Sequence, residues 1–184
     1  NTSLAADDML ATLREYGVTI MIGVPRLYQL IYKGLREKIN QSKGARGLVG
    51  LAGLIDSLKF SRIVFKSVQQ KFGGQLKYLV CGGAPVDSEI VKLFKTLGFE
   101  ILEGYGMTET APMITFTRPG KIKPGVPGHL LPGIQIKFID DEIVVQGKNV
   151  MQGYYNKPEE TAEVIKDGWL HTGDLGYLDD EGFL

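Results

Sequence analysis

Over the first hundred residues, apolar positions recur with helical spacing, broken by short runs rich in β-branched residues. Residues 3–16 are predicted as a helix: Ser3 can cap it, Asp7 and Asp8 suit its first turns, Leu10 and Leu13 share a face, and Gly17 stops it. Residues 18–22 are expected to form a buried strand. Pro25 opens a helix through about Ile39, with Leu27, Leu30, Ile31 and Leu35 on one face. Residues 40–50 are polar and glycine-rich and read as a loop; helical spacing resumes over 51–72 until Gly73-Gly74 ends it. A second strand over 76–81 leads into Gly82-Gly83-Ala84-Pro85. Asp87 then caps a helix whose Ile90, Val91, Phe94 and Leu97 form one stripe, closed by Gly98. Residues 99–103 make the third strand. The alternation predicts an α/β fold: a parallel sheet with helical crossovers.

After Thr110 the period shortens and Gly and Pro punctuate short strands. Residues 134–139 and 142–146 flank Asp140-Asp141 as a hairpin would, and Pro158-Glu159-Glu160 starts a short helix through about Ile165. The expected organisation is an α/β part over 1–115 and a β-rich, barrel-like subdomain over 116–184. Residues 176–184 read as a strand, a turn and a strand just starting. With no initiator Met, the expectation is a piece of a longer protein.

Charge narrows the function classes. The 21 basic and 21 acidic residues cancel, so no basic excess points to nucleic acid and no acidic tail to a disordered partner segment. Cys81 is the single cysteine, so no internal disulfide forms, and His129 and His171 are the two histidines, which argues against a zinc site of the usual type. No apolar run approaches the ~18 residues needed to cross a bilayer, and no stretch reads as a signal peptide. A cytoplasmic globular domain is the expectation. Glycine, at 24 of 184 residues, is about twice its usual share and without a G-x-y period, which sends it to turns and ligand loops.

Two segments carry candidate chemistry, Gly104-Tyr105-Gly106-Met107-Thr108-Glu109-Thr110 and Trp169-Leu170-His171-Thr172-Gly173-Asp174-Leu175-Gly176. Both lie where apolar strands run out, the usual place for ligands in α/β proteins. Thr108 offers a hydroxyl and an amide to phosphate, Glu109 a hard oxygen to Mg2+, and Tyr105 a flat face to a purine. Asp174, on what reads as a tight turn after a strand, can accept hydrogen bonds from both ribose hydroxyls. Each segment alone also reads as an ordinary glycine turn, Thr172-Gly173-Asp174 more so than 104–110. The third glycine of a dinucleotide fingerprint is replaced by Glu109, and no phosphate loop of the G-x-x-x-x-G-K-[ST] type occurs. Gly82-Gly83-Ala84-Pro85 reads either as a strand-to-helix connector or as a bare-backbone wall for a base or acyl chain.

Taken together and in order, these segments resemble the adenylate-forming superfamily of acyl-CoA synthetases, peptide-synthetase adenylation domains and beetle luciferases. Residues 105–109 fit its Y-G-x-T-E motif, 172–174 its T-G-D motif, 147–161 its G-x-x-V-M-x-G-Y-x-x-x-P-E-x-T stretch, and Gly125-Val126-Pro127-Gly128 its P-G-x-x-G region. Val24-Pro25-Arg26, a helical insert at about 34–72 and residues 168–176 look most like long-chain fatty acid–CoA ligases. The resemblance implies ATP and AMP, Mg2+ and coenzyme A, with a fatty acid as substrate. Thr108 and Glu109 would be catalytic: Thr108 would contact the α-phosphate and Glu109 would help hold Mg2+. Tyr105 would stack on adenine, the Gly83-Ala84-Pro85 backbone would line the same base pocket, and Asp174 would hold the ribose. Gly82, Gly83, Gly106 and Met107 would border the acyl channel.

The resemblance also implies a phosphate loop upstream of residue 1 and a C-terminal catalytic-lysine domain beyond residue 184, hence an inactive isolated piece. Its greasy substrate allows peripheral contact with the inner face of the membrane in the full-length protein. Two alternatives stay open: an adenylating enzyme that loads a carrier protein, and a non-catalytic nucleotide- or acyl-binding relative.

Overall fold

The computed structural model describes residues 2–184, with side chains described from Asp8 onward; Ser3 and Asp7, read as helix-start residues, lie outside the described side chains. Two compact units divide the chain, Asn1–Leu102 and Glu103–Leu184.

The first unit runs α1 (Thr2–Glu15), β1 (Ile20–Gly23), α2 (Pro25–Asn40), α3 (Lys43–Ile55), α4 (Leu58–Val64), α5 (Lys66–Lys71), β2 (Tyr78–Cys81), α6 (Ser88–Thr96) and the start of β3 (Glu100–Tyr105). Strands β1 and β2 are parallel, with Ile20 opposite Tyr78 and Gly23 opposite Cys81, and β3 follows β2 in the sheet. Asp87 caps α6, accepting from the Glu89 amide at 2.8 Å. The expected stripe of Ile90, Val91, Phe94 and Leu97 is buried. Three edge-to-face ring pairs, Tyr28–Phe94, Phe94–Phe99 and Phe72–Phe99, tie α2, α6 and the β3 approach into one core. The buried Tyr28 hydroxyl points between the carbonyls of Met21 and Val80, at 3.1 and 2.9 Å. Burial keeps its pKa above the usual phenol range, so it stays a donor.

Three sequence expectations change here. Residues 43–50 are helix, not loop: the Ser42 hydroxyl caps α3 by accepting from the Ala45 amide at 3.3 Å, which outweighs the low helix propensity of its glycines. The single helix expected over 51–72 breaks where Asp56 turns left-handed at φ +47° and again at Phe65, and Ser57 caps the new start. Strand β1 is not buried throughout: period-two alternation puts Met21 inside, while Ile20 and Ile22 face solvent.

In the second unit, the end of β3 pairs antiparallel with β4 (Thr115–Phe116), and β4 with β5 (His129–Leu130). A second sheet contains β6 (Gln135–Ile139), β7 (Glu142–Gln146), β8 (Ile165–Lys166) and β9 (Trp169–Leu175) in the order β6-β7-β9-β8, with α7 (Pro158–Val164) before β8. This sheet is open; no closed barrel forms among the described residues. The predicted hairpin is present, and both Asp140 (φ +49°) and Asp141 (φ +66°) take the left-handed conformation of a two-residue primed turn. Ile143 and Val145 of β7 pack with Ile114, and Tyr105, Leu130 and Val150 close around them. Residues 176–184 do not form the expected strand pair. Asp179 and Gly182 close a turn, Phe183 makes a lone bridge to His129, and Lys123 pairs with Asp179 at 2.7 Å and Glu181 at 2.8 Å.

Candidate functional site

Strand β3 ends at Tyr105, and the backbone must then fold back at once to pair as β4. Gly106 permits this, since a Cβ there would run into the Pro112 carbonyl. A single 3-10 turn, Thr108–Thr110, makes the reversal. Buried Thr110 locks it: its hydroxyl accepts from the Met107 amide at 3.1 Å and donates to the Met107 carbonyl at 2.9 Å. Thr108 is left exposed and Glu109 half-buried.

The segment after β7 braces this turn. The Asn149 amide nitrogen donates to the carbonyls of Thr110 (3.0 Å) and Met113 (2.9 Å), and the Met151 amide donates to the Glu109 carbonyl at 2.8 Å. The Tyr154 hydroxyl donates to Glu109 Oε1 at 2.7 Å, and this bond raises the Tyr154 pKa. Tyr154 is itself held by Thr161, whose hydroxyl accepts from the Tyr154 amide at 2.9 Å.

Thr172-Gly173-Asp174 is not a turn after a strand; it bulges within β9. Glu142 faces Leu175 and Val144 faces His171, so three residues of β9 oppose Ile143 alone. Gly173 takes φ +75° to absorb the excess. The Thr172 hydroxyl donates to the Ile143 carbonyl (2.7 Å) and accepts from the Asp174 amide (3.1 Å). Glu142 grips the bulge with both oxygens, Oε1 accepting from the Gly173 amide (2.9 Å) and Oε2 meeting His171 Nδ1 (2.8 Å). The His171 bond, then the Gly173 amide, holds the Glu142 pKa below the usual carboxylate value.

Asp174 and Tyr105 meet across this unit: the Tyr105 hydroxyl donates to Asp174 Oδ2 at 2.7 Å. Burial lifts the Tyr105 pKa to about 12, and the hydrogen bond to Asp174 reinforces the rise. The phenol is thus a permanent donor at neutral pH. The structure therefore gathers Tyr105, Gly106, Met107, Thr108, Glu109 and Asp174 on the second unit. Gly83, Ala84 and Pro85 form an exposed bend between β2 and α6 in the first.

Mg2+ takes one or two carboxylates and fills its shell with phosphate and water oxygens. Glu109, braced through one oxygen by Tyr154, fits that demand. Among the described residues no group of three or more His, Cys, Asp or Glu could build an all-protein cage. Sequence reasoning missed the supports: Thr110, Glu142, Asn149, Tyr154 and Thr172. Asn149, Tyr154 and Thr172 lie inside the matched 147–161 and 172–174 stretches, whereas Thr110 and Glu142 lie outside every matched motif.

Residues 1–155 match the family described as AMP-binding enzyme. The chain is 30% identical to "Long-chain-fatty-acid--CoA ligase FadD15" of Mycobacterium bovis, an alignment covering 96% of this chain and 33% of that protein. It is 33% identical to the peroxisomal "Long chain acyl-CoA synthetase 6" of Arabidopsis thaliana, over 92% of this chain and 28% of that one. The chain thus spans about a third of the length of the curated relatives it matches. Among solved structures, the O-succinylbenzoate coenzyme A synthetase of Bacillus subtilis, in complex with ATP and magnesium ion, shares 28% identity and a TM-score of 0.65 over 96% of this chain and 33% of that one. The fold, the ordered motifs and the family match agree: the chain belongs to the AMP-binding enzyme family.

Proposed function

We propose that this chain is part of an AMP-forming long-chain fatty acid–CoA ligase and that its second unit supplies the adenylate-binding surface. The Tyr105–Asp174 hydrogen bond carries the reading, because it joins two motifs 69 residues apart into one polar surface. The names of the curated relatives support the substrate class.

In the first half-reaction a fatty acid carboxylate oxygen bonds to the α-phosphorus of ATP. The bond to pyrophosphate breaks, leaving an acyl-adenylate. The thiolate sulfur of coenzyme A then bonds to the acyl carbon and AMP departs. The first step drives an anion onto an anionic phosphate, so orienting donors and neutralising charge is the main task. Thr108, exposed at the 3-10 turn, would donate its hydroxyl to the α-phosphate. Asp174 would accept from the ribose hydroxyls while Tyr105 holds its Oδ2, and the Tyr105 ring would lie against adenine. Gly106 and Met107 would border the reacting carboxylate. Glu109, positioned by Tyr154, would hold Mg2+, which supplies charge neutralisation when bound.

Calorimetry of the chain with AMP tests this. Heat of binding at millimolar AMP is expected, with about tenfold weaker affinity in Asp174→Asn, the scale of losing a charged hydrogen bond. No heat from the unaltered chain would sink the proposal. Because the chain spans about a third of its relatives, acyl-CoA formation from ATP, palmitate and coenzyme A is expected to stay near background. Turnover near that of a full-length relative would overturn that part.

A further inference from the structure

The helices of the first unit surround a cavity of about 530 Å3, a volume within the range of small-molecule sites. Every helix of the unit contributes to its wall: Leu10 from α1, Leu35 from α2, Val49 from α3, Val64 from α4, Val68 from α5 and Leu97 just after α6. All of the lining lies in the unit Asn1–Leu102. None of the residues given a nucleotide or acyl-channel role above lines it. Leu30 and Leu48 line the cavity and are still 51% and 46% exposed, so its apolar wall is open to solvent.

The lining is chiefly aliphatic. Among the described residues its polar side chains are Lys38, Ser67 and Lys71, with no carboxylate and no side-chain amide. Lys38 stands in the last turn of α2 and Lys71 in the last turn of α5. Both are exposed, and among the described residues neither is ion-paired. Such a stem extends an apolar wall while its ammonium stays at the water edge. Gly34, inside α2, also lines the cavity. It has no positive φ, and a Cβ there would meet nothing within 4 Å. Neither backbone conformation nor close packing therefore calls for glycine at this position, although glycine weakens a helix interior. Its effect is to leave space.

We infer that this cavity binds the anion of a long-chain fatty acid, its alkyl chain among the aliphatic side chains and its carboxylate at Lys38 and Lys71. The chemistry of the lining selects the ligand. A nucleotide, sugar or peptide would bring many donors and acceptors to a wall with partners for very few, and each one left unpaired costs free energy. A neutral hydrocarbon would leave both ammonium groups unused, and a cationic amphiphile would be repelled by them. A flexible chain with a single acidic end matches the apolar wall and the two cations together. The residues gathered at the nucleotide surface all lie beyond residue 102, so the cavity should fill with no nucleotide present.

The test is displacement of the fluorescent fatty acid cis-parinarate from the 184-residue chain by hexadecanoate, below micelle-forming concentrations and without nucleotide. Saturable binding at one site per chain is expected. Dodecanol should compete about tenfold more weakly than dodecanoate, because it lacks the charge-assisted bond. Lys38→Met with Lys71→Met should weaken both acids by about tenfold and leave dodecanol unaltered. Gly34→Leu should block binding by filling the space, with an unchanged or higher urea midpoint, since leucine is the better helix former. If that variant fails to fold, the exposed lysine pair decides alone. Leu54→Asp alters a residue that is 87% exposed and outside the lining, and should leave binding intact. No saturable binding, equal affinity for acid and alcohol, or binding that survives Gly34→Leu in a folded chain overturns the inference. So does binding lost in Leu54→Asp and kept in Gly34→Leu, which would put the fatty acid on the outer face of α3.

Discussion

Asp174 is exposed, yet its position is set by a residue 69 positions away and by one within its own motif. The Tyr105 phenol fixes Oδ2, and the Thr172 hydroxyl fixes the Asp174 amide. Removing the phenol oxygen should therefore act on placement more than on stability. Tyr105→Phe is expected to lower unfolding stability by only about 1 kcal/mol, since the carboxylate it abandons can rehydrate. The same change should weaken AMP binding several-fold, read by urea unfolding beside calorimetry; a loss of stability with unaltered affinity would contradict it. Acid should act on the same bulge through Glu142. Its folded-state pKa lies below the unfolded value, so its contribution is complete above the ordinary carboxylate range and fades as pH falls through the lowered value. The Gly173 amide resonance should move in that acid limb with a midpoint below 4.5, and Glu142→Gln should erase the movement.

Between elements, one side chain does most of the joining at the 3-10 turn. Asn149 donates to two carbonyls, those of Thr110 and Met113, on either side of the reversal. Asn149→Leu keeps the volume and leaves both acceptors without that donor, so a loss of about 2 kcal/mol is expected in urea unfolding; a loss below 0.5 kcal/mol would show that water replaces the amide. This contact was not legible in the chain, because Asn149 sits in a stretch whose spacing says only turn. Elements with a strong local signal were legible. Pro25 at the start of α2, Asp87 and its apolar stripe at α6, and Asp140-Asp141 between two β runs each state their own structure. Helix α3 was misread because glycine at 44, 47 and 50 outweighed the single Ser42 cap. The Thr172–Asp174 bulge was misread because its residues suit a turn equally well; only pairing with β7 distinguishes the two. The candidate site followed the same rule: the candidate ligand residues Tyr105, Glu109 and Asp174 stood out by type, whereas the supports Glu142, Asn149 and Tyr154 depend on contacts across 29 to 45 residues.

At the scale of the molecule, charge divides with the fold. The unit Glu103–Leu184 holds seven basic and thirteen acidic residues, a net of −6, and the remainder of the chain is +6. The candidate nucleotide surface thus lies on the acidic unit, although ATP carries more negative charge than AMP. Coulomb repulsion between exposed groups is modest and salt-screened, yet it acts on every phosphate added. Without a divalent cation, this chain should therefore bind AMP more tightly than ATP, with the gap narrowing as salt rises. Mg2+ should reverse the order by cancelling phosphate charge and engaging Glu109. Glu109→Gln should keep AMP affinity within about twofold, because Mg2+ takes its carboxylate together with the phosphates rather than alone, and should lose much of the Mg2+-dependent gain for ATP. Calorimetry in chelator and then in millimolar Mg2+, with both nucleotides and both chains, separates these effects. An ATP affinity that ignores Mg2+, or an equal Mg2+ gain in Glu109→Gln, would remove Glu109 from the cation site and leave the acidic unit a binder of the adenosine end alone.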